Sequence, residues 1–242
     1  MSGRMDIEGT HNFRDVGGYP AHGRRTRAGQ LFRSDSLGAV TLQGRKALDG
    51  LGIQVVIDLR SRMEHDQDLR AHPLPDAVHV HVPIYGGSRT SVLENGHFSL
   101  ERLYKETLVD SAWSFAAAVS MIAETELEPV LVHCTAGKDR TGLVVALALE
   151  VAGVDRTAVV ADYTQSALNL DGEWINRTLT ALVSGGVPIS PRLFEVLGGS
   201  PDHAMSRVLE WLDEEYGSVT AYLTEHGMSE EAVELLRRKL VV

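Results

Sequence analysis

One ten-residue stretch carries the chemistry: His133-Cys134-Thr135-Ala136-Gly137-Lys138-Asp139-Arg140-Thr141-Gly142. It follows a short apolar run, Pro129-Val130-Leu131-Val132, and precedes a longer one, Leu143 to Val151, interrupted only by Glu150. A strand, a tight loop and a helix in that order aim the loop's N–H groups into one concavity at the positive end of a helix dipole, a natural seat for a doubly charged anion. The loop holds the only cysteine of the chain. Thiols placed at a helix N-terminus among histidine and cationic side chains ionise at about pH 3.5–7.5 instead of about 8.5. Arg140 follows Cys134 by six positions, so a loop curled around an anion returns its guanidinium to the same centre. A planar fork of donors suits two phosphate oxygens. The expected chemistry is phosphoryl transfer to Cys134 and then to water, with a phosphocysteine between the two steps.

The bland readings of this stretch are weaker. A lone cysteine is most often a small buried hydrophobe. A nucleotide-binding loop requires Ser or Thr directly after the lysine, and Asp139 stands there. A sulfur-transferase loop also puts cysteine at a strand end but has no need of the following Arg-Thr-Gly. The string is similar to the His-Cys-x5-Arg-Thr signature of the cysteine-based protein tyrosine phosphatase superfamily. Its form Gly137-Lys138-Asp139-Arg140-Thr141-Gly142 resembles the bacterial tyrosine/lipid phosphatase branch. Further similar pieces are Asn12-Phe13-Arg14-Asp15-Val16-Gly17-Gly18-Tyr19, Leu31-Phe32-Arg33-Ser34-Asp35, Asp58-Leu59-Arg60 and the tail around Gly217 to Leu223, so the resemblance runs nearly end to end.

Roles can then be assigned as expectations. Cys134 attacks phosphorus, and Arg140 with the loop amides of Thr135, Ala136 and Gly137 holds the three equatorial oxygens. Lys138 adds charge at the mouth, or else faces solvent. Thr141 donates to the sulfur as the thiolate leaves, and His133 supports the loop. The leaving oxygen needs a proton, and no Trp-Pro-Asp loop is found to supply it. The resemblance to myotubularin-like phosphatases, which carry Asp just before the loop arginine, implies Asp139 as the general acid. Asp58 and Asp35 follow as second and third candidates, each with an alternative role of anchoring arginines, and Gln165 is a candidate for positioning water. A phosphate-recognising pseudoenzyme and an arsenate reductase are the competing functions. The first typically loses the cysteine or the arginine, and the second normally needs further thiols. His79 and His81 share a strand face, but nothing nearby completes a metal set. No cofactor and no metal are expected.

The rest of the composition bounds the setting. The chain has 242 residues, 43% hydrophobic and 23% charged, an ordinary globular balance for one large α/β domain. One cysteine rules out an internal disulfide. No stretch of about 18 apolar residues is found, and the first residues lack the apolar core of a secretory signal. The cytoplasm is the default expectation, with export by another route left open. A net charge of −10 argues against nucleic acid and against stable docking on anionic membranes. The expected partner is a phosphorylated protein or a small phosphoester. Arg14, Arg24, Arg25, Arg27 and Arg33 cluster early, either as a solvated surface or to attract an anionic substrate.

The elements that position the loop follow from periodicity. Strands are expected at 30–33, 53–59, 78–83 and 130–132. Thr41 should cap a helix with Leu42, Leu48 and Leu51 as its apolar positions. Residues 61–71 read as a charged surface helix. Leu108, Ala112, Phe115, Val119 and Ile122 step by four and three along another helix. Leu143 to Ala152 reads as a buried central helix, and Asp155 caps the next. Asp202, Ser218 and Ser229 cap three compact C-terminal helices. Alternating strands and helices imply an α/β single domain over 1–242, with a mainly parallel central sheet flanked by helices on both faces and a helical C-terminal part. Its site lies beyond the C-terminal strand edges, which places Asp35 and Asp58 on the rim that holds Cys134. Glycine pairs and prolines mark 169–200 as a lid of short mobile helices, with 85–97 as the competing lid.

Overall fold

A computed structural model describes residues 3–66, 72–85, 99–125, 127–170, 172–185 and 197–242. Its main sheet has five strands in the spatial order β1 (Arg14–Asp15), β4 (Leu31–Ser34), β7 (Val130–His133), β5 (Val55–Asp58) and β6 (Val78–His81). The last four run parallel, and β1 is antiparallel to β4. A separate small hairpin joins β2 (Pro20–Ala21) to β3 (Arg24–Arg25). The expected α/β architecture with a mainly parallel sheet is therefore the one observed.

Side chains alternate faces along each strand, and both faces are covered. Leu31, Val55, Ile57, Val130 and Val132 enter the larger core, whereas Phe32, Val56 and Leu131 enter a second core with Phe13, Leu48, Ile53 and Leu74. Burial on both sides explains why these strands read as continuous apolar runs. The register aligns Ser34, His133 and Asp58 in one row across the sheet. Cys134 is the next residue on the central strand.

Ten helices are described: α1 (Leu42–Asp49), α2 (Arg62–Asp66), α3 (Leu100–Asp110), α4 (Ala112–Glu124), α5 (Asp139–Val151), α6 (Arg156–Asn169), α7 (Gly172–Ser184), α8 (Asp202–Tyr216), α9 (Val219–Glu225) and α10 (Glu230–Leu240). The central helix α5 is buried almost all round, as its composition implies. It begins at Asp139, ahead of the expected Leu143, because the Gly142 N–H donates to the Lys138 carbonyl (2.9 Å) and makes the second half of the cysteine loop its first turn. At Gly142 a Cβ would meet the Tyr163 ring at 3.1 Å, so glycine there lets α6 close against α5.

Some local expectations need correction. The stretch around Leu108 to Ile122 is two helices, broken at Ser111, although all five apolar positions are buried. The Ser111 hydroxyl accepts from the Tyr85 N–H (3.2 Å), which fixes the chain leaving β6 against the break. Burial keeps its period through that kink, so spacing alone does not reveal it. Thr41 does cap α1, but Leu42 is 81% exposed, leaving Leu48 as its deeply buried anchor. Ser218 and Ser229 cap α9 and α10 through their hydroxyls. Asp155 sits at the N-cap of α6 without a side-chain bond, and Pro201 takes the N-cap of α8 in place of Asp202.

Of the two lid segments, 86–97 lies outside the described residues, as do 171 and 186–196 of the other, and residues 67–71 of the charged helix. α7 is one continuous helix, and Leu170, Trp174, Leu179 and Leu197 pack with Ala136 of the cysteine loop. Among the described residues no helix is long and apolar enough to cross a membrane.

Candidate active site

The cysteine loop leaves β7 at the sheet row just described, and Cys134 is buried at 2% exposure. Gly137 takes φ 63°, and a Cβ there would lie 2.2 Å from the Ser34 carbonyl oxygen, so only glycine fits. Three successive carbonyls are tied away from the cradle. The Ser36 N–H donates to Thr135 O (3.1 Å), and Asn12 Nδ2 donates to Ala136 O (3.1 Å) and Gly137 O (3.0 Å). Arg33 Nη2 also donates to Gly137 O (2.7 Å). In a planar trans peptide the N–H points opposite to the C=O. The N–H groups of Ala136, Gly137 and Lys138 are therefore turned the other way, and those of Ala136 and Gly137 have no partner among the described residues. Unpaired backbone donors in a buried loop are unusual, and an anion satisfies them.

Arg140, in the first turn of α5, meets a carboxylate end-on. Its Nη1 and Nη2 donate to the two oxygens of Glu64 at 2.7 and 2.8 Å, and the Thr135 hydroxyl donates to the same carboxylate at 2.5 Å. Glu64 is also half of a capping box on α2: it accepts from the Ser61 N–H (2.9 Å), while Ser61 Oγ accepts from the Glu64 N–H (3.3 Å). Burial works against its charge, but the hydrogen bonds and charge of Arg140 hold the carboxyl well below the usual range.

The other expected residues fall in distinct places. Lys138 is neither at the mouth nor facing solvent: it is 1% exposed, and its Nζ donates to the Gly199 carbonyl (2.7 Å) and lies 3.5 Å from Asp139 Oδ1. The residue preceding α5 points its side chain back beneath the 197–200 segment. Asp139 is near the surface and accepts the Tyr104 hydroxyl at 2.5 Å, and Tyr104 in turn contacts the Tyr163 hydroxyl at 2.8 Å. The Thr141 hydroxyl is buried with no partner among the described residues. His133 is buried, with Nδ1 at 3.4 Å from Cys134 O and Nε2 at 3.9 Å from Asp58. Burial pushes its pKa down to about 4 despite the attraction of Asp58, so it is neutral at pH 7.

Asp58 and Asp35 are both anchored. Arg60 grips both Asp58 oxygens (2.7–3.0 Å). Burial by itself would raise the Asp58 carboxyl, but the charge on His133 and the bonds from Arg60 bring it to about 2. With His133 neutral at pH 7, Arg60 is the partner that matters there. Asp35 accepts the N–H groups of His11 and Asn12 (2.9–3.1 Å), and burial pushes its pKa up. Gln165 donates to Asn169 (3.1 Å), whose own amide donates to Asn12 beneath the loop. His79 and His81 are spent on the carbonyls of Leu74 and Arg60. Among the described residues no group of three or more His, Cys, Asp or Glu is placed to hold a metal ion.

A pocket of about 190 Å³ opens beside Arg140. Ile84, Tyr85, Leu103, Tyr104 and Leu143 form its apolar wall, and Glu64, Asp139 and Arg140 its polar side. Residue spacing missed Glu64, Tyr104 and Asn12. The Ser61-x-x-Glu64 capping signature pointed to Glu64, but nothing in it foretold the bond to Arg140.

The family model for the tyrosine phosphatase family matches residues 5–242. The chain belongs to the tyrosine phosphatase family. Within that family it is 30% identical to the triple specificity protein phosphatase PtpB of Mycobacterium tuberculosis, over 98% of each chain. It is also 30% identical to a tyrosine-protein phosphatase of Nostoc commune, over 88% of this chain and 74% of the other. Among solved structures it matches TpbA of P. aeruginosa in complex with phosphotyrosine at 16% identity and a TM-score of 0.35, covering 76% of this chain and 96% of that one. This tyrosine phosphatase holds a buried cysteine and an arginine in one loop at a strand end.

Two outcomes follow for the phosphatase. Glu64→Ala releases the Arg140 guanidinium from an ionised partner, an interaction of about 1.5–3 kcal/mol, so kcat/KM on an aryl phosphate should fall by roughly 10- to 100-fold. An unchanged value would show that Arg140 needs no such orientation. At low pH, Asp58 and the fully buried Asp162, which burial pushes upward but Arg14 and Arg33 bring to about 2, both sit below the ordinary carboxylate value of 3.8. Their contribution, on the order of 2 kcal/mol each, is present above pH 4 and lost as pH falls toward 2. Urea denaturation between pH 5 and 2 should show that fall.

Proposed function

We propose that this phosphatase hydrolyses phosphoric monoesters through a phosphocysteine, with phosphotyrosine as the preferred substrate. The reading is carried by the two inward N–H groups of Ala136 and Gly137, which have no partner among the described residues, in a loop that also holds Cys134 and Arg140. The Cys134 thiolate attacks phosphorus and the P–O bond to the leaving group breaks. Asp139 gives its proton to the departing oxygen. Water then attacks phosphorus, the S–P bond breaks, and Asp139 takes the proton back as phosphate leaves. Thr141, whose buried hydroxyl has no partner among the described residues, stabilises the sulfur as it departs. The loop N–H groups and Arg140 follow the equatorial oxygens throughout.

Shape and charge support the substrate class. The mouth pocket offers two tyrosines and three aliphatic side chains to a ring, and Arg140 is the one cation among its described lining. A phosphotyrosine ring is matched by such a wall, whereas a headgroup bearing several phosphates asks for further cations. Phosphoinositides are thus the secondary class for this chain, even though PtpB is named for triple specificity. Within 169–200, the described helix α7 acts as the lid in this reading, supported by the packing of Trp174 and Leu179 in the same cluster as Ala136.

Cys134→Ser should abolish turnover while keeping phosphate-ester binding, and full activity in that variant would remove the mechanism. General acids contribute about 10²–10⁴-fold, most where the leaving group is poor. Asp139→Asn should therefore cripple alkyl phosphates far more than an activated aryl phosphate. Equal losses on both would reject Asp139 as the acid.

A further inference from the structure

The motifs around Asn12 and Arg33 have no part in the chemistry above, yet they converge beneath the cysteine loop. Arg14, Arg33 and Asp162 are each buried, at 0%, 0% and 3% exposure. Asp162 accepts from Arg14 Nε through Oδ1 (3.0 Å) and from Arg33 Nη1 through Oδ2, and Tyr19 adds a hydroxyl to Oδ1 (2.9 Å). Beyond Asp162, each arginine leads to the loop. Arg33 reaches the Gly137 carbonyl directly (2.7 Å). Arg14 donates to Asn12 Oδ1 (2.5 Å), as does Asn169 Nδ2 (3.0 Å), which fixes the Asn12 amide with Nδ2 toward the Ala136 and Gly137 carbonyls.

We infer that Asp162 is a positioning residue for phosphoryl transfer: through Arg33, and through Arg14 and Asn12, it sets the direction in which the loop amides face the phosphate. This rests on the cysteine-loop reading above. Burying three charges is an expensive way to fill a core, since apolar residues of like volume often serve stability as well or better. Here each guanidinium extends the carboxylate's hold to a peptide plane of the catalytic loop. Dipoles that are already aimed need no reorganisation when charge develops on the equatorial oxygens. Asp162, Ser166 and Asn169 lie on one stripe of α6, at helical spacing, and all three bond to this network.

Prepositioned donors act more strongly on the transition state than on bound phosphate. The test is the ratio of two inhibition constants, inorganic phosphate over orthovanadate, which does not depend on how much of a preparation is active. In Asp162→Asn and in Arg33→Gln that ratio should fall by about tenfold, with kcat lowered more than KM is raised. Arg33→Gln keeps the Asp162–Arg14 pair, so it decides the matter alone if Asp162→Asn does not fold. A purely structural role lowers the melting temperature and leaves the ratio at the wild-type value, and that result overturns the inference. Should the wild-type enzyme itself resist vanadate, the phosphocysteine reading fails first and takes this inference with it.

Discussion

A trans peptide cannot turn its carbonyl outward without turning its N–H inward, and the cysteine loop uses that coupling at Thr135, Ala136 and Gly137 in succession. The three carbonyls are held by donors from two places in the chain: the Ser36 N–H and the Arg33 guanidinium at the end of β4, and the Asn12 amide ahead of β1. The parallel register sets β4 beside β7 with Ser34 opposite His133, so Arg33 and Ser36 arrive beside the loop automatically, and the antiparallel β1–β4 pairing brings in Asn12. Gly137 supplies the one backbone conformation that lets the loop pass so close to Ser34. The α5 dipole then adds its positive end to the same concavity. Remove the directed peptides and the remaining parts are a buried thiol and an arginine without a seat for the substrate.

Charge is arranged around that seat in two shells of opposite purpose. Below the loop, one carboxylate is shared between two guanidiniums, so the network is net positive and lies beneath a site for anions. At the rim, Glu64 holds Arg140 and closes the first turn of α2 with the same carboxylate. The rim pair joins the sheet edge following β5 to α5. Lys138 belongs to neither shell, since its ammonium is turned under the 197–200 segment. The net charge of −10 is thus a property of the whole surface and a poor guide to the site.

Much of this was legible in the residues because the informative signals were local. The Cys134 to Arg140 spacing, the apolar strand before it and the apolar helix after it lie within one short stretch, and strand burial on two faces writes itself as unbroken Val, Ile and Leu. What escaped depends on long-range geometry. Arg14 and Arg33 look like part of a basic surface cluster, and only the β1–β4 pairing shows them to be buried beside each other. Glu64 looks like one charge in a charged helix, and Tyr104 like one more apolar anchor of α3. Their partners, Arg140 and Asp139, are 76 and 35 positions away. Lys138 was misplaced for a related reason: its position in the loop is fixed by sequence, but its direction is fixed by where Gly199 returns.

Cys134 has one more consequence that follows from its being alone. A thiolate reactive enough to attack phosphorus is also open to oxidation, and the first product, a sulfenic acid, is normally rescued by condensing with a neighbouring thiol. This chain contains no other cysteine. Recovery from oxidants must come from a thiol outside the molecule, whether it reduces the sulfenic acid directly or a sulfenamide formed when a backbone nitrogen of the loop caps the oxidised sulfur. In the proposed role of nucleophile, Cys134 thus carries its own vulnerability, with no second thiol in the chain to repair it.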